Sequence, residues 1–172
     1  MASRASFKVR AGIPALPKLG TSWYERGIRY WLSRTRTALA QLLIAAVVVA
    51  FCFGVYQGFT EALPSTARRV VDGVEIAASC ASLVWGWLSQ RRDHRTALLA
   101  PPTPEETWAA KRAHNRRALR SAGSGRGLII LAAPFLPAVA TYYVGWITAW
   151  LTVREYPSEA GARLWLAENP VR

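Results

Sequence analysis

The chain is short of the residues that most often carry chemistry. Among 172 residues it has two cysteines, two histidines and ten acids. Cys52 and Cys80 both fall inside apolar runs, which excludes a disulfide framework and a cysteine-based zinc site. His94 and His114 are isolated in charged surroundings, with no acid or cysteine at metal-ligand spacing. No Ser–His–Asp order or carboxylate pair stands out. The sequence therefore implies no catalytic residue, no bound metal and no cofactor; it reads as a non-enzyme. Lysine is scarce as well, only Lys8, Lys18 and Lys111, so arginine carries most of the positive charge.

What is present is segregated. The net charge is +12, yet 52% of residues are hydrophobic and the mean hydropathy is +0.11. That combination excludes a disordered polycation, and the separation of charge from long uncharged runs argues against a soluble core. Residues 38–60 contain no charge over 23 positions, and 127–153 contain none over 27. As helices, about 20 apolar residues cross a hydrocarbon core of ~30 Å, so each run is long enough to span. A third candidate, 70–90, has to carry Asp72 and Glu75 at its start if it crosses.

Flanking charge arranges these runs. Residues 1–37 hold eight Lys/Arg and 91–126 hold nine, whereas 61–69 hold Arg68 and Arg69 and 154–172 hold Arg154, Arg163 and Arg172. The positive-inside rule then predicts an all-α, three-span protein, and high Ala, Arg and Trp with little Lys points to a bacterial inner membrane. Its parts are a basic cytoplasmic segment (1–37), a first span (38–60), an external loop (61–69) and a second span (70–90). A basic cytoplasmic loop (91–126), a third span (127–153) and an external tail (154–172) follow. Trp23, Trp31, Trp85, Trp87, Trp146 and Trp150 sit near the ends of these spans, where indole rings prefer the headgroup level. A cleaved signal peptide does not fit the 37-residue basic lead. The acid-free stretch 1–24 resembles a mitochondrial transit peptide, but the positive-inside rule accounts for the same charges.

Ser22 and Glu25 have capping-box spacing and predict an interfacial helix over 23–36, with Trp23, Tyr24, Ile28, Tyr30, Trp31 and Leu32 on one side. Thr103, Pro104 and Glu106 predict a helix start, and the helix 104–120 carries Lys111, Arg112, Arg116, Arg117 and Arg120. Those five are the candidate contacts to phosphates of anionic lipid or nucleic acid; no base-reading motif accompanies them. Ser124 to Gly127 lacks the Gly-Lys-Ser/Thr of a phosphate loop and reads as a hinge. A short tail helix is expected over 158–169.

Inside the apolar runs, Ala46, Ala50, Gly54 and Gly58 recur every four residues and predict close helix packing, within the chain or between copies. On 70–90, Asp72, Glu75, Ser79, Ser82, Gly86 and Gln90 share one face. That face admits an ion pathway; the plainer alternative is acids near the outer headgroups, partnered by Arg68 and Arg69, with the Ser/Gly face packing. Pro134 and Pro137 predict a kink in the last span.

High Ala, Arg and Trp with little Lys, in a small basic multi-span chain, resembles the spread and transfer-accessory membrane proteins of actinobacterial conjugative plasmids. The resemblance implies a membrane protein that assists plasmid DNA movement beside a DNA-translocase partner, with 1–37 and 91–126 facing DNA or the motor. Membrane lipids and further copies of the chain, or another membrane complex, are the remaining expected partners. An oligomeric, holin-like channel and an assembly scaffold are the competing functions.

Overall fold

A computed structural model describes residues 13–17, 19–121 and 132–170, with the side chains of 117–121 outside the description. The chain is helical, and among the described residues the only β-type pairing is an isolated bridge between Leu16 and Gly20. In order come α1 (Ile28–Glu61), α2 (Ser65–Leu99), α3 (Pro104–Ser121), a 3-10 turn (Ala133–Phe135), α4 (Leu136–Leu151) and α5 (Pro157–Glu168).

α1 and α2 are 34 and 35 residues long, or about 51 and 52 Å at 1.5 Å per residue. Both are long and apolar enough to cross a membrane, and only 11% of the most apolar stretch of each is buried. The core helix of a water-soluble protein would bury most of such a stretch, because apolar surface left in water costs about 25 cal/mol per Å². The expected interfacial helix does not form as a separate element. Ser22 Oγ donates to the Leu19 carbonyl at 2.6 Å inside a turn, and the helix starts at Ile28 and runs unbroken to Glu61.

The expected third span is not confirmed by the described residues. α4 has 16 residues, about 24 Å, short of the ~20 residues a span requires. Residues 127–131 of the expected span lie outside the described residues. Pro134 and Pro137 do not bend a helix either. They occupy the first turns of the 3-10 segment and of α4, where the missing N–H is an orphan in any case.

The chain divides into two compact units. Of the described residues, one gathers those within 13–38, 94–119 and 154–170. Its core is Ile13, Leu16, Leu19, Trp23, Tyr30 and Ala162, with Tyr156 and Leu166 packed against it. Trp23 is fully buried, and its indole N–H is satisfied by the Pro14 carbonyl at 3.0 Å. The tail helix joins this unit closely: a Cβ at Gly161 would overlap the carbonyl oxygen of Pro102, so only glycine fits.

The second unit comprises 39–93 and 120–153. α1 and α2 form a hairpin, fixed near its turn by Tyr56, whose hydroxyl donates to Asp72 at 2.6 Å. α4 lies against α2 with glycines facing each other. A Cβ at Gly86 would overlap the Tyr142 carbonyl, and one at Gly145 would overlap the Leu83 carbonyl. Contacts that pair 75 with 138, 86 with 142 and 91 with 152 climb both helices together, so α2 and α4 run parallel. An up-and-down third span would have run antiparallel to α2.

Candidate functional site

The first unit is held by a charged network that joins sequence-distant ends. Glu159 is completely buried, and both of its oxygens accept the Tyr30 hydroxyl, at 3.1 and 3.3 Å. Arg26 approaches the same carboxylate at 3.5 Å and Glu155 at 3.2 Å, while Arg163 reaches Glu155 at 3.0 Å. Arg34 donates to the Tyr30 oxygen at 2.8 Å and to the Arg154 carbonyl at 2.9 Å, with its guanidinium 4.6 Å from the Tyr156 ring centre. Burial holds the Glu159 carboxyl above the usual carboxylate range, opposed by the Tyr30 hydrogen bond and the charges of Arg26 and Arg34. Burial likewise raises the Tyr30 and Tyr156 phenols.

This network corrects the expected topology. Tyr30 and Glu159 share a direct hydrogen bond, so no bilayer separates the amino-terminal segment from the tail. A cytoplasmic 1–37 with an external 154–172 is incompatible with that contact. Charge counting alone puts the arginine-poor tail outside; it carries no information on a pair 129 positions apart.

α3 presents the basic residues. Its start is a reciprocal capping box: Thr103 N–H donates to Glu106 at 2.8 Å, and Glu106 N–H donates to the Thr103 hydroxyl at 3.3 Å. Trp108 donates its indole N–H to the Ala15 carbonyl at 2.8 Å, which docks the 104–107–108–111 stripe on the amino-terminal segment. Lys111 therefore turns inward, its ammonium 5.0 Å from the Trp108 ring centre. Arg112 and Arg116, one turn apart, are exposed. The side chains of Arg117 and Arg120, and the whole 124–127 hinge, lie outside the described residues. The helix thus sorts charges that its sequence spreads around the wheel.

In the second unit, Glu75 is the residue whose role the sequence leaves open. Asp72 meets Arg68 at 3.9 Å, as a local partner should, but Glu75 has turned inward and is buried. Its carboxylate accepts the Ala138 N–H at 2.6 Å and the Ser79 hydroxyl at 3.4 Å. Ala138 lies in the first turn of α4, whose own N-cap residue, Phe135, supplies no side-chain bond. Glu75 therefore caps α4 from another helix, satisfying an orphan donor and opposing the positive end of the helix dipole. With Gly86 and Gln90 also buried, the polar face of α2 faces protein.

Among the described residues, nothing packs closely on the glycines of the small-residue stripe. Ala46, Ala50, Gly54 and Gly58 are all exposed, and a Cβ at either glycine would meet nothing within 4 Å. α1 packs instead through the neighbouring face of Ala45, Cys52, Tyr56 and Thr60. The close approach expected of the stripe occurs at Gly86 and Gly145, each followed by tryptophan in the sequence. Among the described residues no cluster of His, Cys, Asp and Glu has the make-up of a metal site. No protein-family model, curated protein or solved structure matches the chain.

Proposed function

We propose that the protein is a non-enzymatic accessory protein of a bacterial inner membrane, with α1 and α2 crossing the bilayer and the first unit forming a cytoplasmic head that holds nucleic acid. The carrying observation is the union of 13–38, 94–119 and 154–170 in one unit with Arg112 and Arg116 exposed on α3. The described residues of this unit carry Arg26, Arg29, Arg34, Arg36, Arg95, Lys111, Arg112, Arg116, Arg117, Arg154 and Arg163, against Arg68 and Arg69 at the turn between α1 and α2. Such an imbalance supports a cytoplasmic head.

The plasmid-transfer resemblance supplies the polyanion, plasmid DNA, and the setting, beside a DNA translocase. Phosphate contacts carry no base information, so binding should be independent of sequence. The test is DNA retention by full-length protein in bilayers. Anionic vesicles should still retain duplex DNA. Arg112→Ala with Arg116→Ala should lower the salt slope by about two, one for each phosphate that the variant no longer neutralises. DNA retained in neutral vesicles and released from anionic ones would assign the charges to lipid instead.

A scaffold for another membrane complex is the second reading. Ile28, Trp31 and Leu32 favour it: they stand 87%, 58% and 69% exposed on the head end of α1, at the spacing of one helix face. The pore reading gains no support from α2, whose polar face is turned inward. Association of copies through the open Gly54–Gly58 face remains part of the proposal.

A further inference from the structure

A groove of about 830 Å³ runs along the outer face of α2. Its apolar floor is Ala81, Val84 and Leu88, positions on one face of the helix, with Trp85 beside them 70% exposed. Its other end is polar: Ser89, Arg92 and Asp93. From Cys80 to Asp93 it covers about 20 Å of helix, and it crosses the point where the charge-free stretch 76–90 ends. An apolar trough that turns polar at the edge of a span has the polarity profile of a phospholipid.

Among the described residues, nothing occupies the charges of the polar end. Arg91, the neighbouring cation, is already engaged: it donates to Thr152 at 3.0 Å and lies 5.0 Å from the Trp87 ring centre. Arg92 and Asp93 are exposed and, among the described residues, have no ion-pair partner. Ser89 Oγ accepts the Tyr142 hydroxyl at 3.4 Å, which leaves its own proton to donate. One guanidinium, one hydroxyl donor and one carboxylate therefore line the same end of the groove.

We propose that this groove holds one membrane glycerophospholipid whose headgroup carries both a phosphate and a primary ammonium. An acyl chain lies along Ala81, Val84 and Leu88, the phosphate meets Arg92 and Ser89, and the ammonium meets Asp93. Charge complementarity selects this occupant. A headgroup with a second anionic or neutral group in place of the amine leaves Asp93 unpaired, and a quaternary amine offers it no N–H donor. The site rests on α2 crossing the bilayer as proposed above, but it concerns only the second unit and is independent of DNA binding.

The experiment uses full-length protein in vesicles of equal parts phosphatidylethanolamine, phosphatidylglycerol and phosphatidylcholine. Resistance to alkaline extraction is measured first, and the lipid retained after mild detergent is then identified by native mass spectrometry. The wild type should retain phosphatidylethanolamine in preference to the other two. Arg92→Gln should reduce retention of phosphatidylethanolamine and phosphatidylglycerol alike, by about tenfold or more. Asp93→Asn should keep phospholipid and lose the preference for the amine, and Val84→Trp, which fills the floor, should empty the groove. All three positions are exposed, so each variant should match the wild type in helical content. Extraction of the wild type by alkali would overturn the membrane-crossing reading itself. Firm insertion with equal retention of the three lipids, or with retention unchanged in Arg92→Gln, would overturn the groove alone.

Discussion

The two units solve the problem of holding helices together by opposite means. The head uses side chains: an aromatic core around Trp23 and Tyr30, and a buried carboxylate joined to Arg26, Arg34 and Tyr30. The helical unit uses backbone. Gly86 and Gly145 bring α2 and α4 within van der Waals contact of each other's main chain, while most large apolar side chains of α1 and α2 face outward. The difference is what the proposed arrangement requires, with the first unit in water and α1 and α2 in lipid. In water, burying aromatic surface supplies the driving force, and a polar network is tolerated once its groups are satisfied. In lipid no such force exists between helices, and cohesion comes from close packing of small residues and from shared hydrogen bonds such as Glu75 to Ala138.

Substitutions separate the two modes. The largest effect should come from Glu159→Ala, which strips the Tyr30 hydroxyl and Arg26 of their shared partner; a loss of roughly 3 kcal/mol is expected for a broken buried pair. Hydrogen exchange over 157–168 should rise sharply while α2 and α4 stay protected. Gly145→Leu is the converse, costing about 2 kcal/mol by forcing α2 and α4 apart, with the head unaffected. A change in the protection of 157–168 in that variant would show that the units are not independent.

Smaller effects sharpen the same contrast. Glu75→Gln retains an acceptor for Ala138 but removes the charge at the helix end, so about 0.5–1 kcal/mol should be lost from α4 alone. The head should also respond to pH in a defined direction. Because burial raises the Glu159 carboxyl above its usual 4.5, the folded head binds that proton more tightly than the unfolded chain. This contribution is fully present below pH ~4.5 and is lost as pH rises through the folded value. Protection of 157–168 attributable to Glu159 should therefore be highest in acid, and the slope should vanish in Glu159→Gln. The smallest effect belongs to Gly54→Leu: among the described residues nothing lies within 4 Å of the added side chain's first atom, so thermal stability of the monomer should be unchanged. Disappearance of crosslinked dimer in that variant would identify the open face of α1 as a contact between copies.

Some of this arrangement was legible in the sequence because it depends on neighbours. The charge-free run 38–60 and the capping residues Thr103 and Glu106 act over a few positions, and the structure places α1 across the first and starts α3 at the second. The polar face of α2 was legible too, since a helical wheel brings Glu75, Gly86 and Gln90 together. The pairing of faces was not. Four small residues at perfect spacing on α1 predicted a close approach that forms instead at Gly86 and Gly145, because spacing reports a capacity for close packing and not the identity of the partner. Trp23 and Tyr30 have the pattern of interfacial aromatics and are instead core, since an aromatic beside arginine suits both a headgroup zone and a small soluble core. Arg112 and Arg116 differ from Lys111 only through Trp108 and its bond to Ala15, which fixes which way α3 turns.

The central claim is that the amino-terminal segment, the 94–119 region and the tail belong to one head on one side of a membrane. It is tested most directly by labelling single cysteines at Tyr24, Arg112 and Leu164, all exposed, in a Cys52→Ser, Cys80→Ser background reconstituted in sealed vesicles of known orientation. The account requires all three to react with a membrane-impermeant thiol reagent from the same side, with a cysteine at Thr66 in the opposite turn reacting from the other. Labelling of Tyr24 and Leu164 from opposite sides would contradict it, and with it the Tyr30–Glu159 contact on which the head is built.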